Sequence, residues 1–575
     1  MIRYRVLACD YDGTLAWGGR LAPETHAALG RLRATGRSVV MVTGRLVDDL
    51  LVVCPDLSPF DIVVAENGAV LFWPATGRRQ VLAEPPPAAF IDRLRALGTP
   101  QVWVGEVIVA MREPHEAQAL QAIQELGLEL QVIFNKGAVM VLPSGVNKAT
   151  GLAAALSEIG QSPHEVVGVG DAENDHALLA ASECAVAVAN AVPMLKARAD
   201  LVTEGDHGAG VVELIERIIA SDLADLAPRL ERHDLRLGNE IGGDAAFNLP
   251  AHGTNLLLAG TSGSGKSTIV TSLLEQAAER GYQFCVIDPE GDYDNLGAAV
   301  LGNQDSIPAD VEVTNLLESP GRSAVVNLAG VALDARPRHF ASLMLKLLSL
   351  RARTSRPHLI FIDEAHHLVP QEQPAGETNQ MMTWSEVAGV VAVTVHPDHL
   401  PAALLARMDR VMAVGQSPWE TLTAVSNAIG ATLPPIAGGH EPLAPGEALV
   451  WQPRGTGPVP RIRTVVPATE RRRHQRKYAQ GDLGPERSFT FRGPEGKLRL
   501  KARNLAVFVE LAAGVDDETW QYHLRAGDYS RWIRQDIKDE GLANEIAAIE
   551  RRRDGAGETR RAVEAAITSR YTASA

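Results

Sequence analysis

Short apolar runs alternate with helical patterns along the first 220 residues of the chain. That alternation is typical of a parallel sheet covered by helices on both faces. The sequence therefore predicts an α/β domain over residues 1–222. Its strand-like runs are Val6–Cys9, Val39–Val42, Ile62–Val64 and Val166–Val169, and its helical patterns include His26–Arg33 and Lys148–Ile159.

A second alternating series predicts another parallel-sheet domain over residues 237–466. The charged stretch before it, residues 223–236, is predicted to be a helical linker. A basic run at 467–486 predicts a further linker, and residues 487–575 predict a strand-like start followed by helices. The predicted class is α/β, with two doubly wound sheets and a mainly helical C-terminal segment. The strand-like runs of the second series are Asn255–Ala259, Gln283–Ile287, Ser323–Val326, Leu359–Ile362 and Val390–Val395.

The composition fits several folded domains in a cytoplasmic protein. Of the 575 residues, 46% are hydrophobic and 22% are charged, which are ordinary values for globular proteins. The net charge of −15 argues against a surface that binds nucleic acid throughout, although a local basic groove would not show in that sum. No secretory signal or membrane-spanning run is evident, so we expect a cytoplasmic protein without membrane contact. The four cysteines, expected to be reduced core residues, are Cys9, Cys54, Cys184 and Cys285.

Two aspartates follow the first strand in the sequence Asp10-Tyr11-Asp12-Gly13-Thr14. A side chain at the carboxyl end of a parallel strand points into the ligand crevice. One carboxylate there can attack phosphorus, while its neighbour two residues on protonates the leaving oxygen and later deprotonates water. Mg²⁺ lets a carboxylate approach a phosphate dianion. A surface turn is the alternative interpretation, because Asp and Gly favour turns.

Three later segments lie where a phosphate site would need them, and they argue against the turn. They are Thr43-Gly44-Arg45 after a strand, Lys148 at the start of a helix, and Gly170-Asp171 with Asn174-Asp175 after another strand. With these motifs, the first 220 residues resemble the haloacid dehalogenase superfamily, in the subfamily IIB group that includes sugar-phosphate and phosphoglycolate phosphatases. The sequence Glu66-Asn67-Gly68-Ala69 also matches a short signature of that group.

The resemblance implies a role for each matching residue. Asp10 would be the nucleophile, Asp12 the general acid and base, Thr43 a phosphate donor and Lys148 the neutralising cation. Asp171 and Asp175 would hold Mg²⁺ beside Asp10, and the backbone carbonyl of Asp12 would complete the protein ligands. Gly44, Arg45 and Asn174 are candidate substrate-binding residues, and a structural salt bridge or turn is an equal alternative for Arg45 and Asn174.

The segment at about 82–142 lies where the subfamily inserts its cap, which closes over the substrate and excludes water. The resemblance thus implies a Rossmann-like core with a small α+β cap. By family analogy, a short cap suggests a small phosphorylated substrate, such as phosphoglycolate or a compact sugar phosphate.

A glycine-rich loop lies between the strand Asn255–Ala259 and a helical pattern from Thr268 to Arg280. Strand, loop and helix in this order are the context of a P-loop, whose backbone N–H groups cradle phosphates. Lys266 would reach the β and γ phosphates of ATP, and the Ser267 hydroxyl would bind Mg²⁺. The predicted ATP-binding residues are Gly260, Thr261, Ser262, Gly263, Ser264, Gly265, Lys266, Ser267 and Thr268.

A buried strand ending in Asp363-Glu364 supplies the acids that ATP hydrolysis needs. Asp363 would orient Mg²⁺ and Glu364 would polarise the attacking water, although an acidic strand end can also be a helix cap. With the sequence Asp288-Pro-Glu-Gly291-Asp292, these acids give residues 235–465 a resemblance to the HerA and FtsK class of P-loop motors.

That class forms hexamers that bind ATP between subunits and pump DNA, so the resemblance implies a homo-oligomer and nucleic acid as a candidate partner. The class usually has glutamine at the sensor position, where this chain has Thr394-Val395-His396. The departure puts the coupling of hydrolysis to movement in doubt. Arg407 and Arg410 are candidate arginines acting on a neighbouring subunit, and ordinary surface positions are the alternative for both.

The C-terminal segment mixes aromatic residues with arginines from Trp520 to Trp532. This pattern can stack nucleic-acid bases, but an amphipathic helical domain with a buried aromatic core is favoured. Three functions remain open for the whole chain. It can be a small-molecule phosphatase joined to a regulatory ATPase, a nucleic-acid motor that trims phosphorylated ends, or a defence or signalling platform assembled by nucleotide.

Overall fold

The computed structural model describes residues 2–135, 137–293, 296–369, 384, 387–436, 439, 441–468, 487–494, 496, 498–537, 539–552 and 554–571. Its strands form an eight-stranded sheet, an eleven-stranded sheet, a four-stranded sheet and two hairpins. The protein is a mixed α/β fold with a helical C-terminal region, as the sequence predicts. Most of the predicted basic linker, from residue 469 to 486, lies outside the described residues.

Fourteen strands belong to the first 220 residues of the chain. They are β1 (Val6–Cys9), β2 (Ala16–Trp17), β3 (Arg20–Leu21), β4 (Ser38–Val42), β5 (Ile62–Ala65), β6 (Val70–Trp73), β7 (Arg78–Val81), β8 (Trp103–Val104), β9 (Val109–Arg112), β10 (Leu130–Asn135), β11 (Ala138–Pro143), β12 (Val166–Gly170), β13 (Cys184–Ala187) and β14 (Leu201–Val202). The α-helices between them are α1 (Pro23–Ala34), α2 (Val47–Val53), α3 (Ala88–Ala96), α4 (Glu116–Leu126), α5 (Lys148–Glu158), α6 (His176–Ala181), α7 (Pro193–Lys196) and α8 (His207–Ser221).

The eight-stranded sheet has the order β14-β13-β12-β1-β4-β5-β6-β7. All pairs from β14 to β5 are parallel, and the two pairs at the β7 edge are antiparallel. Every residue of the central strand β1 is buried, because helices cover both faces of a parallel sheet. This register aligns the carboxyl ends of β1, β4 and β12 at one edge of the sheet.

The four-stranded sheet is antiparallel, with the order β10-β11-β9-β8. It is covered by α3 and α4 and has its own apolar core, which includes Phe90, Leu94 and Met111. These elements fill the segment in which the sequence predicts a cap.

The eleven-stranded sheet has the order β16-β15-β25-β24-β23-β17-β22-β21-β18-β20-β19. Pairs from β23 to β19 are parallel, and the pairs on the other side are antiparallel. Its strands are β15 (Leu235–Glu240), β16 (Ala246–Leu249), β17 (Leu256–Gly260), β18 (Phe284–Asp288), β19 (Ala299–Leu301), β20 (Ala324–Asn327), β21 (Leu359–Ile362), β22 (Val390–Thr394), β23 (Arg410–Val414), β24 (Glu447–Trp451) and β25 (Arg461–Thr464). Its helices are α9 (Lys266–Glu279), α10 (Asp310–Glu318), α11 (Arg336–Thr354), α12 (Ala365–Leu368), α13 (Ala402–Leu405) and α14 (Pro418–Ile429).

The segment 223–236 differs from its prediction as a helical linker. It contains a single 3₁₀ turn, Ala227–Arg229, and β15 begins at Leu235. The proline in that turn has no backbone N–H to donate, so an α-helix could not continue through it from α8 without losing a hydrogen bond. Charged composition alone indicated a helix here, whereas β15 is held as a strand by its pairing with β16 and β25.

The C-terminal region combines a small hairpin with helices around an aromatic core. Phe491, Phe508, Trp520 and Tyr529 are buried in that core, which agrees with the amphipathic interpretation of the segment. The hairpin strands are β26 (Phe489–Phe491) and β27 (Leu500–Ala502), and the α-helices are Leu505–Gly514, Asp517–Ala526, Asp528–Trp532, Glu540–Glu550 and Ala556–Tyr571.

The two large sheets meet at the amino ends of their parallel strands. Glu165, which precedes β12, lies 2.9 Å from the Nε of Arg356, which precedes β21, and both side chains are 1% exposed. The ring of Tyr282, ahead of β18, stacks on the ring of His164 at 3.6 Å between centroids. Glu183 accepts a hydrogen bond from Tyr282 and pairs with His164 at 2.7 Å. The contact is therefore polar, buried and specific.

Replacing Arg356 by alanine is expected to destabilise the protein by about 3–5 kcal/mol, because it leaves Glu165 buried without its partner. Urea unfolding followed by intrinsic fluorescence measures the change. Arg353→Ala is the matched control, because Arg353 is 61% exposed and its ion pair with Glu318 is worth under about 1 kcal/mol. Equal, small effects of both variants would show that the buried pair adds nothing.

The stability of the protein is also expected to depend on pH through Glu165. Burial raises the pKa of Glu165 from its ordinary 4.5 to about 7, although Arg356 opposes the shift. The folded chain therefore holds a proton that the unfolded chain releases between these values, so the free energy of unfolding falls as pH rises from 4.5 to 7. Urea titrations at pH 5 and pH 7.5 should show a smaller decrease for Glu165→Gln than for wild type. The same decrease in both proteins would contradict the assignment.

Candidate active sites

Asp10 lies directly beyond β1, with its backbone N–H bonded to Val169 of β12 at 3.0 Å. Its side chain is 7% exposed. Because β1 is central and its neighbours end at the same edge, Asp10 lies at the centre of the crevice formed by the strand ends. The tight turn after it is held by a hydrogen bond from Gly13 N–H to the carbonyl of Ala16 at 3.0 Å.

Lys148 joins two of the predicted acids. Its Nζ lies 2.5 Å from Asp10 Oδ1 and 2.6 Å from Asp175 Oδ1, and its side chain is 1% exposed. Asn147 caps the helix α5 that Lys148 begins, which fixes the lysine at the crevice. Burial opposes the charge of Lys148, but Asp10 and Asp175 together raise its pKa. The lysine is therefore a fixed positive charge beside Asp10.

Asp10, Asp171 and Asp175 offer carboxylate oxygens that all lie within 4.8 Å of one another. Burial and the charge of Asp175 raise the pKa of Asp10 to about 7, even though Lys148 opposes the shift. Buried carboxylates at this spacing suit a hard divalent cation such as Mg²⁺, which would offset their repulsion. The residues present therefore fit the metal that the family implies.

The two oxygens of Asp175 already have partners. Oδ1 contacts Lys148, and Oδ2 accepts the backbone N–H groups of Asp171 and Ala172, each at 2.9 Å. Asp171 accepts the Thr14 hydroxyl at 3.1 Å on Oδ1. Asp175 thus orders both the lysine and the loop that carries Asp171.

Arg45 forms a two-pronged ion pair with Asp12, at 2.6 Å from Nε to Oδ2 and 2.8 Å from Nη2 to Oδ1. The predicted general acid and the predicted substrate arginine are therefore brought together. Thr43 is buried at the end of β4, and its hydroxyl accepts the backbone N–H of Arg45 at 3.1 Å. Arg45 therefore orients Asp12, through the kind of salt bridge that the sequence left open as an alternative role for this arginine.

Gly44 and Asn174 both lie against Asn67. Asn174 donates to the side-chain oxygen of Asn67 at 3.1 Å, and a Cβ on Gly44 would lie 3.2 Å from the same atom. Met140 of β11 also contacts Asn67, at 2.8 Å from its sulfur to Asn67 Nδ2. Glycine at position 44 therefore leaves room where the four-stranded sheet approaches the crevice.

Three supporting residues were given no role from the sequence. Glu66 is 1% exposed and accepts the backbone N–H groups of residues 106, 107 and 108 at 2.8–2.9 Å, so it ties the four-stranded sheet to the large one. Asn190 and His207 both bond the carbonyl of Gly13 at 2.8 Å. The short Glu66-Asn67-Gly68 signature was the only signal in the chain that could have found the first of them.

The predicted P-loop connects β17 to α9. Gly265 has a φ of +94°, which favours glycine, and a Cβ on Gly260 would lie 2.2 Å from the carbonyl of Val414. Lys266 is 6% exposed, and its Nζ bonds the carbonyls of Gly260 and Thr261 at 2.8 and 3.0 Å. The lysine thus closes over the loop that runs from residue 260 through Ser262, Gly263, Ser264, Ser267 and Thr268.

The acids of the second site lie at the ends of β18 and β21. Asp363 is 8% exposed, and burial, with the nearby charges of Asp288 and Glu364, raises its pKa well above the ordinary value. Asp288 accepts the backbone N–H groups of Gly291 and Tyr293, both at 2.8 Å, so it orders its own turn. One strand, β22, separates β21 from the P-loop strand β17.

That intervening strand brings the predicted sensor segment beside the acids. Thr394 lies 3.2 Å from His366 Nδ1, and His366 lies 3.5 Å from Glu364 Oε2. Burial and the neighbouring His367 lower the pKa of His366 to about 4, so its ring is neutral near pH 7. Arg407 and Arg410 lie at the amino end of β23, whose other end adjoins Gly260, and so neither reaches the P-loop of its own chain.

Comparison with known proteins identifies the first region. The sequence model for haloacid dehalogenase-like hydrolases matches residues 7–92 and 104–215. A phosphoglycolate phosphatase of Methanothermobacter thermautotrophicus is 30% identical over 224 residues, covering 37% of this chain and 99% of that protein. The chain belongs to the haloacid dehalogenase-like hydrolases.

Other comparisons match the same haloacid dehalogenase-like region. A phosphoglycolate phosphatase of Haloarcula marismortui is 32% identical over 222 residues, covering 36% of this chain and 95% of that protein. The crystal structure of a haloacid dehalogenase-like hydrolase from Bacteroides thetaiotaomicron has a TM-score of 0.33 and 19% identity, covering 37% of this chain and 99% of that chain.

The second region matches a different family. The sequence model described as an AAA ATPase domain matches residues 244–378, which include the P-loop and both acids of β21. The protein is therefore a hydrolase that joins a phosphatase of the haloacid dehalogenase type to an AAA ATPase domain. Among the described residues, no helix is long and apolar enough to cross a membrane.

Proposed function

We propose that the haloacid dehalogenase-like region hydrolyses a small phosphate monoester with Mg²⁺, through a phosphoryl group carried on Asp10. The observation that carries this proposal is the buried contact of Asp10 with Lys148 beside the carboxylates of Asp171 and Asp175. A nucleophile, a fixed positive charge and a cation site within one crevice are the groups that attack on a phosphate dianion requires.

In the first step, an oxygen of Asp10 forms a bond to phosphorus as the bond from phosphorus to the ester oxygen breaks. Asp12 gives its proton to the leaving oxygen, and Arg45 holds the Asp12 carboxyl group in place. In the second step, Asp12 takes a proton from water, whose oxygen attacks phosphorus and releases Asp10. Thr43, which directly follows β4, would donate its hydroxyl hydrogen bond to a phosphoryl oxygen.

Mg²⁺ bound by Asp10, Asp171 and the carbonyl of Asp12, with Asp175 in support, would neutralise the phosphate charge during attack. Lys148 contacts one oxygen of Asp10 and one oxygen of Asp175. Its positive charge therefore reduces the repulsion between the two carboxylates and fixes their orientation. Asp171 Oδ1 accepts a hydrogen bond from the Thr14 hydroxyl, and Asp171 Oδ2 lies 3.5 Å from the side-chain amide of Asn190.

We propose a substrate of the size of phosphoglycolate or a compact sugar phosphate, in the manner of subfamily IIB. The four-stranded sheet reaches the crevice through Met140, and Glu66 ties it there by three backbone hydrogen bonds. Asp10, Lys148 and Asp171 are each at most 5% exposed under this cap. A crevice so enclosed favours a small leaving group, and the two archaeal relatives are named phosphoglycolate phosphatases.

We propose that the second region binds and hydrolyses ATP with Mg²⁺ as an oligomer of the HerA and FtsK type. Ser267 and Asp363 would hold the metal, and Glu364 would orient the attacking water. Support comes from the acids at the ends of β18 and β21 and from the strand β22 that brings the sensor segment between them and the P-loop. Arg407 and Arg410 lie at the far end of β23 from their own P-loop, so in such an oligomer they would act on a neighbouring chain.

The substrate proposal is tested by Mg²⁺-dependent phosphate release from phosphoglycolate, sugar phosphates, nucleotides and 5′-phosphorylated DNA. We expect one of the first two classes to have the highest kcat/KM, because the cap encloses the crevice. Faster release from nucleotides or DNA ends would overturn the proposal and favour the alternative, a motor that processes nucleic acid.

The two alternatives for the ATPase region are tested separately. ATP hydrolysis that rises with added duplex DNA, and loses the increase at high salt, would support a DNA motor. Mass measurement with and without ATP tests an assembly platform, which predicts a particle that grows only with ATP. A protein that is indifferent to DNA and unchanged in mass fits regulation of the phosphatase by the ATPase region.

A further inference from the structure

A cavity of about 310 Å³ lies at the P-loop edge of the eleven-stranded sheet. One wall is formed by residues of the proposed ATP site, including Ser262 of the P-loop and Glu364 of the acidic pair. The C-terminal region also lines the cavity, through Arg534 and Gln535. Its volume is at the lower end of the range for small-ligand pockets. Residues more than 150 positions apart in sequence therefore share one cavity.

The backbone of the C-terminal region explains why these two side chains face outward. They lie in a π-helical turn, Ile533–Ile537, whose terminal isoleucines are buried in the aromatic core. Arg534 and Gln535 between them are exposed. Arg534 Nη2 donates to Asn544 at 3.0 Å, which holds the guanidinium group close to the following helix. π-Helices occur mostly as single-turn bulges within α-helices, and such bulges are frequent at functional sites.

A hydrogen bond joins this turn to the start of the C-terminal region. The indole N–H of Trp532 donates to the carbonyl of Arg487 at 2.9 Å. Arg487 lies near enough to Arg336, at the start of α11, for their like charges to repel, whereas Glu290, which lines the cavity, attracts Arg336. The C-terminal region therefore lies beside the start of α11, and the shared lining of the cavity is what places Arg534 at the P-loop edge.

Arg534 is the one arginine or lysine among the described residues that line the cavity. Glu290 and Glu364 line it, and a bound nucleotide would add the negative charge of a triphosphate. Lys266 supplies one positive charge from the P-loop side. A guanidinium group matches phosphate oxygens with paired donors, so Arg534 is suited to the terminal phosphate in a way that a second lysine is not.

We propose that Arg534 completes the nucleotide site of its own chain by donating to the terminal phosphate of ATP. The C-terminal region thereby senses whether ATP or ADP is bound. This inference rests on the proposed binding of ATP at the P-loop. By this proposal, the arginine that contacts the terminal phosphate belongs to the chain that binds the nucleotide, whereas Arg407 and Arg410 would act on a neighbouring chain.

The test compares Arg534→Ala, Arg534→Lys, Lys266→Ala and Arg551→Ala in the full-length protein. Arg551 is the matched control, because it is an exposed arginine of the same region that bonds only its own helix at Ala547. We expect Arg534→Ala to lower the kcat of ATP hydrolysis by roughly 100-fold, as loss of one transition-state donor does. Its affinity for ATP should fall more than its affinity for ADP, and Arg534→Lys should recover part of the ATP affinity.

Other outcomes separate failure of this inference from failure of the ATP site. If wild type binds ATP, Lys266→Ala does not, and Arg534→Ala matches Arg551→Ala, the inference is overturned while the ATP site stands. If wild type binds no ATP, both are overturned. Co-expression of Arg534→Ala with Lys266→Ala tests the same-chain assignment. Inactive mixed oligomers support it, and restored ATP hydrolysis would show that Arg534 acts on a neighbour.

Discussion

Replacing Asp10 by asparagine is expected to lower ester hydrolysis by roughly 10⁴-fold or more, because the amide cannot attack phosphorus. Asparagine keeps the size of the side chain, so the fold should persist and ATP hydrolysis should be unchanged. Phosphate release from the best ester measures the loss. Intact-mass measurement after rapid quenching should show one phosphoryl group on wild type and none on Asp10→Asn.

Asp48→Asn is the control for this experiment, because Asp48 is 81% exposed and its ion pair among the described residues is with Arg79 at the surface. It should keep wild-type turnover. If Asp10→Asn keeps turnover as well, the nucleophile lies elsewhere, and the crevice would bind phosphate without cleaving it.

Replacing Lys266 by alanine is expected to reduce ATP hydrolysis by roughly 100-fold to 1000-fold, because the buried ammonium group is the main positive charge at the P-loop. Its present contacts, with the carbonyls of Gly260 and Thr261, are to the loop that would bind phosphate. Ester hydrolysis at Asp10 should be unaffected by the change. Release of phosphate from ATP and from the best ester, measured on one preparation, checks both expectations.

Lys346→Ala is the matched control, because Lys346 is 52% exposed and pairs with Asp310 away from the P-loop. A loss of ester hydrolysis in Lys266→Ala alone, with ATP binding abolished, would mean that the phosphatase depends on bound nucleotide. Persistent ATP hydrolysis in Lys266→Ala would contradict the proposed site.

Much of the fold follows from local patterns in the sequence. The strands β1, β12 and β21 are short apolar runs, and the turns after them carry the acids that identify both sites. Local order places each motif at the carboxyl end of a strand, and parallel pairing then brings the motifs together. The proximity of Asp10, Lys148 and Asp175 could therefore be predicted from the sequence.

Contacts between distant segments could not be predicted in this way. Arg45 reaches Asp12 from the next strand, and Arg534 reaches the P-loop cavity from a separate region of the chain. The residues next to such an arginine in the sequence do not indicate which distant group it will contact. The antiparallel strands β15 and β16 were missed because they contain exposed polar residues and are interrupted by a bulge near Gly238.

The buried pair of Glu165 and Arg356 joins the amino ends of β12 and β21, and the carboxyl ends of the same strands carry Asp171 and Asp363. Both catalytic edges therefore face away from the contact between the two sheets. A product that leaves one crevice enters solvent before it can reach the other, so this orientation is unsuited to substrate channelling. A change at one site would reach the other through a small displacement of β12 relative to β21, transmitted by the buried ion pair that joins them.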